Sequence, residues 1–474
     1  MEEIRRTNVV IIGGGAAGIG AGEILKKENI DFVIIEAQGE IGGRIQKYDF
    51  SGIVVENGAN WIHGQFDEDY CDDAGQNCGR TNKTPKFINS IWEYQESAHG
   101  STNYLKGSFT NYDMIKMIDH EGRHVPQEEV EKCLKQIESA GARCRELEVE
   151  SDMTIRECYE NNMDLTGLNK KACDCLLWLE VEFETGIFDV SLKHRVPLNS
   201  EKGIPYNDRD FLVTDRRGYQ SILESISTSF SNQILFDQKV VEVSYTNQGV
   251  KVITQTGTKI EADYAICTVS LGVLQQKGIR FIPDFNQEKK DAISRLEMGY
   301  YAKIYITFPT KFWGDEEALM YISEKQPHES IMTWCLNLDH PKYFPGSKML
   351  TCHSMGETAK KVESQDIDVT KDEINQIMHN MFRHVNADHR TVVDIHVTNW
   401  SSNPLFFGAY SEVPVGTTQR QRDLVRENVD RLYFAGEHTS NSNGFVHSAY
   451  DTGKDVSQQI VKEMSHMSVD PIQT

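Results

Sequence analysis

The chain has 474 residues, 39% of them hydrophobic and 25% charged. That length exceeds one ordinary core and points to two interlocked domains, and no apolar run comes near the ~18 residues a membrane helix needs. Forty-nine basic against 71 acidic residues leave a net charge of -22, which argues against a nucleic-acid partner and suits a cationic ligand, although solubility alone is the plainer reading.

The ten cysteines show neither a repeated Cys-x-x-Cys nor a zinc spacing with histidine, so no metal is expected. The opening Met1-Glu2-Glu3-Ile4-Arg5-Arg6 has no apolar leader and the closing Asp470-Pro471-Ile472-Gln473-Thr474 is no targeting address. The expectation is a cytoplasmic protein with free thiols. Only export would make Cys71 and Cys78 candidates to pair, or the formal sequons at Asn82 and Asn399 meaningful.

In chain order, Thr7 to Ile12 is a β-branched run ending at glycines, Ala16 to Lys27 has helical character, and Asp31 to Ile35 is a second apolar strand closed by an acid. This is a βαβ unit. Residues 83 to 211 change style and hold helices over Gln127 to Glu148 and around Leu168 to Phe183. Strands are expected at Ile234 to Phe236, Gln238 to Tyr245, Val250 to Gln255 and Ala262 to Val269. Beyond them come a strand at Lys303 to Phe308, a polar helix near Lys371 to Phe382, a strand at Arg431 to Phe434 and a helix from about Gly444.

The stretch Gly13-Gly14-Gly15-Ala16-Ala17-Gly18 lies between the first strand and its helix. There glycines let the backbone approach a pyrophosphate, and the helix N-terminus offers unpaired N–H groups. Glu36 closes the second strand where a carboxylate accepts ribose hydroxyls, and it disfavours a 2'-phosphate. Gly42, Gly43 and Arg44 extend the pattern with a close backbone passage and a fixed cation, which a nicotinamide enzyme does not need. Leu432-Tyr433-Phe434-Ala435-Gly436-Glu437 repeats the strand-to-glycine theme near the other end.

Together with Gly58-Ala59-Asn60-Trp61-Ile62-His63-Gly64, Gly218-Tyr219, Ser270-Leu271-Gly272-Val273-Leu274, Lys303, Gly408-Ala409-Tyr410-Ser411 and Asn443-Gly444-Phe445-Val446-His447-Ser448-Ala449-Tyr450, these motifs resemble the flavin amine oxidases over essentially the whole chain. The pattern is most similar to plant-type polyamine oxidases. The resemblance implies an α/β fold in which a discontinuous Rossmann-like FAD-binding domain (1–82, 212–295, 409–474) interleaves with an α+β substrate-binding domain (83–211, 296–408). It implies FAD held by Gly13, Gly15, Gly18, Glu36, Gly43, Arg44, Gly58, Ala59, Asn60, Trp61, Val240, Gly436, Glu437 and Val446. Ala409 stands where relatives with covalent flavin carry cysteine, so noncovalent FAD is expected.

The implied reaction is hydride transfer from a polyamine to flavin N5, with dioxygen as acceptor, giving an aldehyde, a shorter amine and hydrogen peroxide. Lys303 is the expected catalytic residue, holding water against N5. From the residues alone, the plainer reading of a lysine in the alternating strand Tyr301-Ala302-Lys303-Ile304-Tyr305 is that it points outward to solvent. Tyr410 and Phe445 match the two rings that flank the amine, and Trp61 and Tyr301 continue the tunnel wall, with core packing as the alternative for each. Glu182 matches a substrate-binding glutamate, with Glu180 and Glu184 behind it; a solvated helix acid is the plain alternative. His63 stands where some plant members have glutamate, is a further proton-acceptor candidate, and favours back-conversion over terminal oxidation. Acidic Asp67 to Asp73 is either a mouth for polycations or a solvated loop. Oligomeric state is left open. Rival readings are an amino acid or methyl-lysine oxidase, and an inactive flavin-binding regulator.

Overall fold

The computed structural model describes residues 4–63, 90–98, 100–110, 115–147, 151–183, 187, 189–194 and 210–467. Cys71, Cys78, Asn82, Glu184 and the acidic stretch 67–73 lie outside them.

Ile4–Ile12 is the centre of an eight-stranded sheet. It pairs in parallel with Phe32–Ile35 on one side and Lys259–Cys267 on the other, and Leu432–Phe434 lies parallel to the latter. Successive side chains of a strand point to opposite faces, so a strand covered on both sides reads as an unbroken apolar run. Val9 and Ile11 enter one core with helices Ala16–Lys27, Gln220–Ser227 and Val446–Met467. Val10 and Ile12 enter another with Val240, Val243, Leu271, Ala292 and Val425. Ile234–Leu235, expected beside the following hairpin, instead pairs in parallel with Phe32–Ile35 at the sheet edge; the hairpin itself is Val240–Thr246 with Gly249–Thr254.

The second large sheet has six strands, drawn from Ile115–Asp119, Tyr301–Thr307, Ala318–Ile322, Trp334–Asn337, Met349–Met355 and Asp394–Val397. One face is covered by the helices Gln127–Glu146, Ile155–Asn162 and Lys170–Val181, the other by Ile367–Met381. The division along the sequence is not clean: Ile91, Trp92 and Leu105 join the core of the first sheet.

Among the described residues six cysteines form three disulfides, which corrects the free-thiol expectation for them. Cys133–Cys173 and Cys144–Cys158 tie the three covering helices together, and Cys335–Cys352 crosses directly between paired strands. Cys175 and Cys267 are free and buried. No helix among the described residues is long and apolar enough to cross a membrane, and no cluster of metal-ligating side chains occurs among them.

Candidate active site

The glycine turn after Ile4–Ile12 is dictated by crowding. Gly13 has φ +108°, and a Cβ on Gly18 would sit 1.9 Å from the Gly13 carbonyl oxygen, so only glycine lets the helix start this close to the strand. The second glycine pair folds back onto the first: Gly42 donates to the Gly14 carbonyl at 2.9 Å and Gly15 bridges Gly42, with Gly43 alongside. Glu36 is buried at the end of Phe32–Ile35 and accepts from Gly14 N at 2.6 Å and Gln38 N at 2.8 Å. Burial raises its carboxyl, and the backbone N–H groups pull the other way. Val240 is buried at the start of the hairpin in the same sheet.

Across the molecule, Arg44 Nη1 donates to the Ala409 carbonyl at 3.0 Å and to Glu437 Oε1 at 2.9 Å. The other Glu437 oxygen accepts from Ser411 Oγ and from the backbone of Ser411 and Gly444. Burial pushes the Glu437 carboxyl upward, but Arg44 above all, with His438 and Ser411, outweighs it and holds the group below the ordinary range. Both ring nitrogens of His438, which follows Gly436 and Glu437, are buried without a hydrogen-bond partner among the described residues. A buried polar group left unpaired is costly, so a bound molecule with polar atoms fits here. The cradle suits a dinucleotide: a carboxylate at a strand end, a helix N-terminus behind close-packed glycines, and a cation on a fixed carboxylate.

Lys303 points inward, not to solvent, and is 3% exposed. Its strand neighbours Tyr301 and Tyr305 share its face, while Ile304 and Ile306 enter the opposite core. The Lys303 Nζ donates to the carbonyls of Glu56 (3.1 Å) and Gly58 and to Asn60 Oδ1 (2.7 Å), three acceptors for the three N–H bonds of an ammonium. Gly58 is required by this arrangement, since a Cβ there would lie 1.6 Å from the Arg44 carbonyl oxygen. Burial pushes the Lys303 amine down to about 7, against the attraction of the Glu56 carboxylate. Burial likewise pushes Glu56 up to about 7, opposed by the Tyr219 N–H and by Lys303. Glu56 was not singled out in the sequence, where it reads as one more acid at a strand end.

An aromatic wall extends from this amine. The Trp61 ring centroid lies 5.6 Å from Nζ, with Ala59 two residues before it in the same segment. Tyr301 is 6.0 Å from Tyr410 and 5.5 Å from Phe183. Phe445 makes a T-shaped contact with His63 at 4.9 Å and stacks on His447, just before Val446–Met467 begins at Val446. His63 is held by Asp210, whose Oδ1 lies 2.8 Å from Nδ1 across paired strands. Thus Lys303, Asn60, Trp61, Tyr301, Tyr410, Phe445 and His63 come together.

Glu182 does not join them. It is 1% exposed and gripped by Arg156 through Nε and Nη2, while Nη1 of the same guanidinium reaches Asp174 and Glu160. Burial raises its carboxyl against the pull of Arg156. The next residue, Phe183, is the one that packs on Tyr301, Trp334 and His353. Glu180 faces elsewhere too, accepting from the Tyr159 hydroxyl at 3.1 Å. Adjacent residues at a helix end diverge in direction, which spacing alone did not resolve.

The family model described as flavin containing amine oxidoreductase matches residues 16–461. The chain belongs to this family. Among curated proteins it is 29% identical to polyamine oxidase 7 of Oryza sativa subsp. japonica, covering 94% of this chain and 93% of that one. It is likewise 29% identical to polyamine oxidase 1 of Zea mays, over 96% of this chain and 90% of that one. The fold matches a solved putrescine oxidase bound to putrescine with a TM-score of 0.71 at 15% identity, covering 97% of this chain and all of that one. The chain is therefore an enzyme, a flavin-dependent amine oxidoreductase.

Proposed function

We propose that this enzyme oxidises polyamines, holding FAD noncovalently and passing electrons to dioxygen. The observation that carries the reading is a lysine amine, buried and fixed by three acceptors, at the foot of a wall formed by Trp61, Tyr301, Tyr410 and Phe445. Ring faces attract cations, and a net charge of -22 draws polycations toward the protein. The names of the curated relatives support the same substrate class.

The bound flavin supplies the two-electron acceptor for a C–H bond beside an amine nitrogen. Glu36, the glycine turn and Arg44 would hold its dinucleotide. Ala409 offers no thiol for a covalent bond. Lys303, at an amine pKa of about 7, is suited to hold or move a proton near neutrality. Tyr410 and Phe445 would orient the amine. His63, fixed by Asp210, replaces an acid at the tunnel and supports back-conversion. The three disulfides favour maturation in an oxidising compartment over the cytoplasm expected from the amino-terminal sequence.

The test is to incubate the yellow holoprotein with spermine, spermidine, thermospermine and acetylated forms, measuring peroxide and identifying products by mass spectrometry. Spermidine from spermine supports back-conversion; diaminopropane would mean terminal oxidation, and absence of turnover with every polyamine would refute the substrate class.

A further inference from the structure

A buried polar group sits behind the aromatic wall, against Trp61 and Tyr301. His353 lies in Met349–Met355, paired across strands with Lys303, and is 1% exposed. Its imidazole is boxed by Trp334 at 4.9 Å, Phe183 at 5.4 Å, Tyr301 at 5.4 Å and Trp61 at 6.0 Å. Nδ1 lies 2.5 Å from the Tyr301 hydroxyl and Nε2 lies 3.4 Å from Thr351 Oγ1. Tyr301 itself is only partly buried and stands between this box and Tyr410.

We infer that His353 is a positioning residue for the substrate: by accepting the Tyr301 hydroxyl proton at Nδ1, it leaves the Tyr301 oxygen as an acceptor for an amine N–H. A neutral imidazole has one donor and one acceptor nitrogen, and a phenol is the better donor of the pair, so O–H···N is the favoured direction. The remaining Nε2–H then faces Thr351. An imidazolium would reverse this by occupying the Tyr301 oxygen as an acceptor. Burial, and next the Lys303 ammonium across the strand pair, keep His353 neutral well below its usual titration range. The same facing cation makes His353 a poor final acceptor for a substrate proton, so the pair orients the amine and does not deprotonate it. A Tyr301 oxygen that accepts favours a nitrogen that carries hydrogen over one that carries none.

This inference rests on reading the site as an amine tunnel, and the experiment separates the two. Flavin bleaching by spermine is followed anaerobically by stopped flow in the wild type, His353→Leu, His353→Gln, Tyr301→Phe and the His353→Leu/Tyr301→Phe double variant. Loss of one net hydrogen bond raises the apparent Kd for spermine about tenfold, or ~1.4 kcal/mol, with little change in the limiting rate. Tyr301→Phe shows the same rise, the double variant is no worse than either single one, and His353→Gln, whose amide oxygen accepts the same O–H, recovers most of the affinity. An unchanged Kd in His353→Leu, additive losses in the double variant, or failure of Gln to outperform Leu overturns the inference. Should His353→Leu not retain flavin, the cycle is run with His353→Asn, whose shorter amide falls short of Tyr301. Wild-type flavin that no amine bleaches refutes the amine-tunnel reading itself.

Discussion

Replacing Lys303 by Met removes an ammonium of similar length while keeping the volume filled. Three buried acceptors, the carbonyls of Glu56 and Gly58 and Asn60 Oδ1, lose their donor. Each stranded acceptor costs about 1–3 kcal/mol, offset by no longer burying a charge. Gly13–Gly18, Glu36 and Arg44 make none of these contacts and are expected to keep the flavin bound, although Gly58 and Asn60, which belong to the same expected flavin set, lose their donor; the variant is expected to fold and stay yellow. Loss of a positioned proton donor or acceptor slows a step by about 100-fold or more, or ~2.7 kcal/mol at ~1.36 kcal/mol per tenfold. Anaerobic mixing with spermine reads flavin reduction, and a second mixing with oxygenated buffer reads reoxidation. Slowing of either half-reaction is the expected result. Wild-type rates in both, in a variant that retains flavin, would refute the role given to Lys303.

Glu182→Gln is expected to lower Tm, because it leaves Arg156 partly unpaired in a buried site, while KM for spermine stays constant; a selective rise in KM with unchanged Tm would return Glu182 to the substrate site. The Cys144→Ser/Cys158→Ser variant removes a cross-link spanning 14 residues and should lose about 3 kcal/mol in denaturant unfolding; intact stability, or free alkylation of both thiols in the native protein, would contradict the pairing. Lys289 Nζ donates to the carbonyls of Leu424, Val425 and Glu427 and lies 3.9 Å from the Phe434 ring. Burial pushes its amine down to about 8, with Glu427 opposing. A lysine with a depressed folded pKa binds fewer protons when folded than unfolded between about 8 and its ordinary ~10.5, so this group makes stability rise with pH across that window. The Tm of the wild type relative to Lys289→Met should therefore improve from pH 8 toward 10, and a flat or falling difference would count against it.

What the sequence made legible was mostly local. The helix Ala16–Lys27 is as the glycine turn and the apolar run predict, and the strands beside it differ only at their ends. Lys303 was ambiguous, because an alternating strand does not say which of its faces is covered. In Met349–Met355 every residue is buried, so no alternation marked His353 as special. Cysteine connectivity is likewise invisible in spacing, and the pairs that form join helices brought together by the core of the second sheet. Asp210 carried no signal until it paired with His63 across a strand that begins 147 residues later.

By itself the sequence determined the glycine turn and the strand-end acid, because these act through contiguous backbone geometry, whereas Arg44 is fixed only by Glu437 and the Ala409 carbonyl at the far end of the chain. Only the tertiary structure decided the substrate side. Lys303 is defined there by two backbone carbonyls and one amide oxygen from the segment Glu56–Asn60, and Phe183 replaces Glu182 at the wall. Backbone acceptors have no residue identity to read, and the direction of a side chain beyond a helix end is set by what packs against it.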